Sequence, residues 1–222
     1  MLLFYLFNWF CYTLFMANSL IKHIKEYYKQ LELFSPSDLM VKGTTYESIK
    51  QELYRLNKNG SISKLGRGFY YLPASDKSLL PSPIDALTKA YVQVDGHKIG
   101  FYFGNAFIPG FLGQKIPDSD HFEIMTNKAT SGKKTIFLFG KRVTLRKPYL
   151  TINDENVVLN SLLSYIAYAP LPLLQQNYSL LANYIRSNHL SANDVISLIP
   201  SFPDKTFAKL LATDLYRSLW KH

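Results

Sequence analysis

A set of polar side chains at helical spacing between residues 44 and 58 is the first group that could do chemistry. Glutamine and arginine side chains make paired hydrogen bonds to base edges, hydroxyls bond phosphate or base, and lysines neutralise phosphates. Further basic residues follow at and beside a glycine-rich tip, Gly66-Arg67-Gly68. Residue type and spacing therefore predict a nucleic-acid contact made by Thr44, Ser48, Gln51, Arg55, Lys58, Lys64 and Arg67.

Acidic residues at 118 and 120 raise a second possibility, which is metal or nucleotidyl-transfer chemistry. Two acids one residue apart on a strand share a face. However, Lys115-Ile116-Pro117 supplies no phosphate loop ahead of Asp118 and Asp120, and Gly132-Lys133-Lys134-Thr135 lacks the upstream glycine of a phosphate-binding motif. The five histidines show no ligand spacing. We therefore expect no enzyme, no metal and no cofactor, and an enzymatic alternative rests on these two acids alone.

The net charge of +9 is confined to one part of the chain. Residues 1–150 carry 20 basic and 11 acidic side chains, whereas the remaining residues carry 5 of each. Such an excess suggests a polyanionic partner, although a basic surface that only keeps the protein soluble is the alternative. A second basic set is a candidate nucleic-acid or partner surface, or equally a solvated strand and hairpin face: Lys133, Lys134, Lys141, Arg142, Arg146 and Lys147.

The elements that must position the first set form a winged helix-turn-helix over residues 16–73. Apolar residues at spacings of three and four predict a first helix from residue 20, and Ser35-Pro36 opens a short second helix that ends at Gly43. A third helix starts at Thr44 or Thr45, with Tyr46, Ile49, Leu53 and Leu56 predicted on its buried face. Two short strands around the glycine-rich tip then predict a wing. A module that binds only protein is the alternative.

The first fifteen residues are apolar and carry no charge. They are shorter than the roughly 20 residues of a membrane-spanning helix, and no basic residues precede them as in a secretory signal. A translation start at Met16 is the preferred explanation, and an extra apolar helix or a membrane anchor are the alternatives. The lone Cys11 excludes an internal disulfide and fits a cytoplasmic protein.

A polar, proline-bearing stretch at residues 74–83 predicts a linker to a second domain. A helix over 84–94 and strands near 99–103, 122–126, 135–139 and 142–146 predict a small α+β domain over residues 84–153. Four helices then follow in a C-terminal region over residues 154–222, at 157–168, 174–187, 192–199 and 206–220. The expected fold class is α+β.

Two blocks of the sequence resemble a known family. GTTYESIKQELYRLNKNGSISKLGRGFYYLP is similar to the winged-helix segment of AbiEi-like antitoxins, which belong to the type IV toxin–antitoxin systems of abortive infection. IGFYFGNAFIPGFLGQKIP, followed by FEIMTN and the basic strand KRVTLRK, resembles the second domain of that family. The resemblance covers roughly residues 20–165, and the C-terminal helices match nothing in it.

The resemblance implies a bacterial regulator encoded beside a nucleotidyltransferase-like toxin. Its winged-helix domain would repress the shared operon by binding operator DNA, and inverted repeats would require two copies in symmetric placement. The remainder would counter the toxin, by direct contact or functionally, and the second basic set is the candidate antitoxic surface. We expect no small-molecule ligand and no membrane contact through residues 1–15. Only the winged-helix positions carry over residue by residue, and a protein that sequesters a toxin or scaffolds a complex without DNA is the alternative.

Overall fold

The computed structural model describes residues 20–40, 44–66, 68–76, 78–111 and 114–220 of the chain. They form a mixed α+β fold that divides into two compact units, with the boundary between Ala86 and Leu87. No helix in these ranges is long and apolar enough to cross a membrane. The apolar segment 1–15, for which three explanations are open, lies outside the described residues.

Among its described residues, the first unit contains two helices with a single turn between them. They are α1 over residues 20–27, a 3-10 turn at Ser37–Leu39, and α2 at Tyr46–Lys58. The second predicted helix is thus a single turn within the described residues, and its predicted end at Gly43 lies outside them. A capping box starts α2, because Thr45 Oγ1 accepts a hydrogen bond from Ser48 N and Ser48 Oγ accepts one from Thr45 N.

A three-stranded antiparallel sheet completes the first unit. The strands β1 (Leu33–Phe34), β2 (Ser63–Gly66) and β3 (Phe69–Tyr71) lie in the order β1-β3-β2. The β2–β3 pairing shifts register between Lys64 and Gly66, which inserts one extra residue into β2. A shared core joins sheet and helices, comprising Ile24, Phe34, Leu39, Ile49, Leu53, Leu56, Ile62, Tyr70 and Leu72.

A helix that changes its winding spans the boundary between the two units of the chain. The helix α3 (Pro83–Leu87) runs into a π-helical turn at Thr88–Val92, and a hairpin of β4 (Gln93–Val94) and β5 (His97–Lys98) follows. The predicted helix over 84–94 is therefore correct as far as residue 92. Its last two residues are a strand instead, because Asp95 and Gly96 take positive φ values of 52° and 84° and close a tight hairpin.

A four-stranded mixed sheet follows in the order β6-β7-β9-β8. Its strands are β6 (Gly100–Phe103), β7 (His121–Thr126), β8 (Lys133–Leu138) and β9 (Lys141–Arg146), and the short helix α4 (Phe107–Phe111) lies between β6 and β7. The pairs β6–β7 and β8–β9 are antiparallel, whereas β7 and β9 are parallel. The β8–β9 hairpin thus folds back so that its second strand lies against β7.

Six helices end the described chain. They are α5 (Val157–Tyr168), α6 (Leu171–Gln176), α7 (Tyr178–Ser187), α8 (Ala192–Leu198), α9 (Asp204–Ala212) and α10 (Tyr216–Leu219). Two helices predicted as continuous are broken, one at Asn177 and one at Asp214, which takes a positive φ of 58°. Sheet residues Phe101, Phe103 and Met125 share one hydrophobic cluster with α5. The α+β block and the helical region therefore form one compact unit.

A buried acid lies on the inner side of α2. The carboxyl group of Glu52 is largely buried, and its Oε2 lies 3.4 Å from Nη1 of Arg55, while Oε1 has no hydrogen-bond partner among the described residues. Burial raises the pKa of Glu52 above its usual value, and the nearby Arg55 guanidinium opposes that rise without cancelling it. Folding therefore favours the protonated form of this side chain.

Replacing Gly100 tests the packing of β6. A Cβ atom there would lie 2.2 Å from the backbone oxygen of Tyr91 and 2.6 Å from that of Met125, so backbone must move to admit it. We expect Gly100→Ala to lower the free energy of unfolding by about 3 kcal/mol or more in urea denaturation. Gly132→Ala is the matched control, since nothing lies within 4 Å of its added Cβ. Equal stability of the two variants would contradict the packing at β6.

Replacing Glu52 tests the buried acid. Because folding raises its pKa above the unfolded value of 4.5, its contribution to stability is complete below that value and is lost as the pH rises through the folded pKa. Glu52→Gln imitates the protonated form. We therefore expect the variant to be more stable than the parent at neutral pH, with the gain in free energy of unfolding shrinking as the pH falls through the folded pKa and gone below the unfolded value of 4.5.

Glu47→Gln is the control for this experiment, because Glu47 is exposed in the first turn of the same helix and pairs with Lys50 at 3.7 Å. A carboxylate at a helix N-terminus is stabilising, so this variant should lose a few tenths of a kcal/mol and not gain. If Glu52→Gln is instead the less stable protein at neutral pH, the ion pair with Arg55 outweighs the cost of burial.

Candidate nucleic-acid interface

One side of α2 is a polar ridge about 20 Å long, given a rise of 1.5 Å per residue. Ser48, Gln51, Arg55 and Lys58 are exposed on it, and Thr44 is half-buried just ahead of the helix. The buried side carries Ile49, Leu53 and Leu56, as predicted, but Tyr46 at the first helical position is 45% exposed. Glu52 takes the buried position instead. The structure thus brings the five predicted helix residues to one side.

Two of these five side chains already have partners within the helix. The Ser48 hydroxyl donates to Thr45 O at 2.8 Å and accepts from Thr45 N at 3.1 Å in the capping box. The Arg55 guanidinium lies 3.4 Å from Glu52, a contact that the sequence analysis missed. The signal was available, because Glu52 precedes Arg55 by three residues and adjoins the apolar stripe. Gln51 and Lys58 are therefore the ridge residues best placed for an outside partner.

The β2–β3 hairpin carries the other predicted contacts of this unit. Lys64 is exposed on β2 opposite Tyr70, with its Nζ 5.9 Å from the centre of that ring. Gly66 and Gly68 take φ values of 138° and 84°, a region that favours glycine. Arg67, predicted at the tip, lies outside the described residues. Tyr70 shares a hydrophobic core with Leu53 and Leu56, so the hairpin and the apolar side of α2 belong to one core, while the polar ridge of α2 stays exposed.

The second basic set lies on β8, β9 and the residue after them, and it does not form a single face. Residues paired across strands share a side of the sheet, so Lys133, Arg142 and Arg146 lie on one side and Lys134 and Lys141 on the other. Burial divides the set a second way. Lys133, Lys134, Arg142 and Lys147 are exposed, whereas Lys141 and Arg146 are mostly buried.

The acids that raised the metal hypothesis hold one of these buried cations. Asp118 and Asp120 lie 3.0 and 3.7 Å from the Lys141 ammonium group, and both carboxylates are otherwise exposed. A hydrogen bond to Asp118 is the largest cause that raises the pKa of Lys141. Within the described ranges, no three histidine, cysteine or acidic side chains form a group able to hold a metal ion. The pair thus anchors the start of β9.

The other buried cation, Arg146, pairs with an acid that sequence reasoning did not single out. Its Nε donates to Glu123 Oε2 at 2.8 Å. Glu123 lies on β7, and Arg146 lies on the adjacent strand β9 opposite Met125, two residues further along β7. The two residues are 23 positions apart in the sequence, which carries no local signal of such a contact. Of the second basic set, the four exposed residues therefore remain candidates for contact with a partner.

Comparison of the chain with models of protein families, with curated proteins and with solved structures finds no match. No family assignment follows from these comparisons. Three observations indicate a nucleic-acid partner: the polar ridge of α2, the β2–β3 hairpin that shares a core with α2, and the basic excess of the chain. The resemblance to AbiEi-like antitoxins adds an expectation to these observations.

Proposed function

We propose that the chain is a DNA-binding antitoxin that represses its own operon. The observation that carries the proposal is the placement of the α2 ridge and the β2–β3 hairpin in one small unit. In this proposal residues 16–73 are a winged helix-turn-helix, α2 enters the major groove, and the hairpin reaches the neighbouring phosphates. A helix of this diameter fits the major groove, which is about 12 Å wide.

The residue types on the ridge support base reading as well as backbone binding. Gln51 can bond the N6 and N7 atoms of adenine, and Arg55 can bond the O6 and N7 atoms of guanine once its contact with Glu52 opens. Lys58 and Lys64 are exposed cations at the end of α2 and on the hairpin, where they would neutralise phosphates. The ridge thus combines sequence-reading and charge-neutralising groups.

The antitoxin part of the proposal rests on the family resemblance. It implies a nucleotidyltransferase-like toxin encoded beside this chain and an operator with inverted repeats, bound by two copies. The second unit would counter the toxin, and its exposed Lys133, Lys134, Arg142 and Lys147 are the candidate contacts. A nucleotidyltransferase-like reading frame next to this gene would support the proposal, and an unrelated neighbourhood would contradict this part of it.

A protein-interaction module is the second candidate, and one observation favours it. Ser48 and Arg55 are engaged within α2, so the ridge offers fewer ready base-reading groups than its sequence suggests. Stable co-purification with the neighbouring gene product, together with no affinity for the operator, would favour this candidate over the repressor.

Truncating the base-reading residues should relax sequence preference. We expect Gln51→Ala and Arg55→Ala each to cost about 1–3 kcal/mol of discrimination between the operator and a scrambled site. Fluorescence anisotropy with both DNAs measures the difference. Lys205→Ala, an exposed charge removal on α9 in the second unit, is the control and should leave discrimination unchanged. Parental discrimination in both variants would show that α2 is not the reading helix.

Truncating the phosphate contacts should weaken binding to all sequences alike. We expect Lys58→Ala and Lys64→Ala each to lower the slope of log affinity against log salt by about 0.9, because one fewer counterion is released. Titrations of operator and scrambled DNA at several salt concentrations measure this slope. An affinity that does not change with salt would contradict DNA binding altogether, whatever the effect of the substitutions.

A further inference from the structure

A cleft of about 460 Å³ opens in the second unit beside the C-terminal half of α5. Phe103, Ile108, Leu173 and Tyr168 supply apolar and aromatic walls, and the Glu123–Arg146 pair lines the cleft with charge. A concave site with mostly apolar walls and a few polar groups is typical of small-molecule binding. None of the DNA-contact residues proposed above belongs to it.

The guanidinium of Arg146 is held rigidly in this cleft. Its side chain is only 16% exposed, Nε donates to Glu123, and Cζ lies 5.1 Å from the centre of the Tyr168 ring and 5.9 Å from that of Phe103. Among the described residues, no acceptor bonds its two terminal nitrogens. Neither nitrogen is among the buried polar atoms that lack a partner, so both reach solvent and are open to a planar anion that accepts two parallel hydrogen bonds.

The net charge of the cleft lining favours a planar carboxylate over a tetrahedral phosphate. Glu123 cancels the charge of Arg146, so the lining offers donors with almost no net positive charge. A doubly charged phosphate would meet the Glu123 carboxylate at close range, whereas a singly charged carboxylate matches the guanidinium fork at half that cost. The aromatic walls favour a ligand with a flat, apolar body.

A second polar position lies across the cleft. Asn177 donates from Nδ2 to the Tyr165 hydroxyl oxygen at 3.3 Å and to Leu173 O at 3.0 Å. Its Oδ1 atom receives no hydrogen bond from the described residues, and the Tyr165 hydroxyl retains its own proton to donate. The cleft therefore presents one acceptor and one donor to the far end of a ligand.

We propose that this cleft binds a small organic acid, with its carboxylate on the terminal nitrogens of Arg146 and a flat apolar body against Phe103 and Tyr168. This site is independent of the DNA contact proposed for the first unit. It also revises the expectation, drawn from the sequence, that the chain takes no small-molecule ligand.

Calorimetric titration of the full chain with benzoate and with indole-3-acetate tests the site. Ligands of this size in such a cleft should bind with a Kd of about 10 mM or tighter. The neutral amides, benzamide and indole-3-acetamide, keep the body and remove the charge, and they should bind at least tenfold more weakly. Amides that bind as tightly as the acids, or acids that give no saturable heat, would overturn the proposal.

Two substitutions locate the binding. Leu173→Trp fills the cleft without touching the Glu123–Arg146 pair and should abolish acid binding, while Leu180→Trp, on α7 away from the cleft, should not change it. Arg146→Lys keeps the charge but loses the planar fork, so it should weaken acid binding about tenfold and leave the weaker amide binding unchanged. Parental affinity in Leu173→Trp would show that the acids bind elsewhere.

Discussion

The burial of α5 on every side is the constraint on which the second unit depends. All nine residues from Leu159 to Ala167 are buried. A helix that is apolar all round must be enclosed on all sides. One face of the mixed sheet contributes Phe101, Phe103 and Met125 to this enclosure, and the later helices contribute the rest. This requirement explains why the helices after residue 154 belong to the same unit as the sheet.

Several buried polar groups on and around α5 have hydrogen-bond partners, whereas Oγ1 of Thr206 on α9 has none among the described residues. Asn160 is fully buried and donates to Leu150 O at 2.9 Å, and Ser161 donates to Val158 O at 2.8 Å. At the C-terminal end, the Lys209 ammonium donates to Ala167 O and Ala169 O at 3.1 and 2.6 Å. The last carbonyls of a helix need such partners. Because α5 ends there, Tyr168 and Ala169 are left to line the cleft.

Local sequence signals located most of the helices and strands, although two helices predicted as continuous are broken. The bounds of α5 were predicted to the residue, since its apolar run starts after polar residues and stops before Pro170. Thr45 was one of two predicted starts of α2, and its capping box confirms it. By contrast, β1 is two residues long and exists only because Leu33 and Phe34 pair with β3. No periodicity can show a strand that short.

The candidate sites show where reasoning from sequence stops. Residue type predicted that Arg55, Lys141 and Arg146 carry positive charge, but the role of a cation depends on which acid lies beside it. Glu52 is three residues from Arg55 and could have been found by helical spacing, whereas Glu123 meets Arg146 only through the parallel pairing of β7 and β9.

The exposure of each arginine and of the acid paired with it determines what kind of site that arginine can form. On the ridge of α2, the Arg55 guanidinium is 42% exposed and can turn to a phosphate, although this removes the partner of Oε2 in the largely buried Glu52 carboxyl. In the cleft, Arg146 is mostly buried, and removing Glu123 from it would leave an uncompensated charge. A ligand in the cleft must therefore bind Arg146 while it stays paired with Glu123. The first arrangement suits a polyanion, and the second suits a small, singly charged acid.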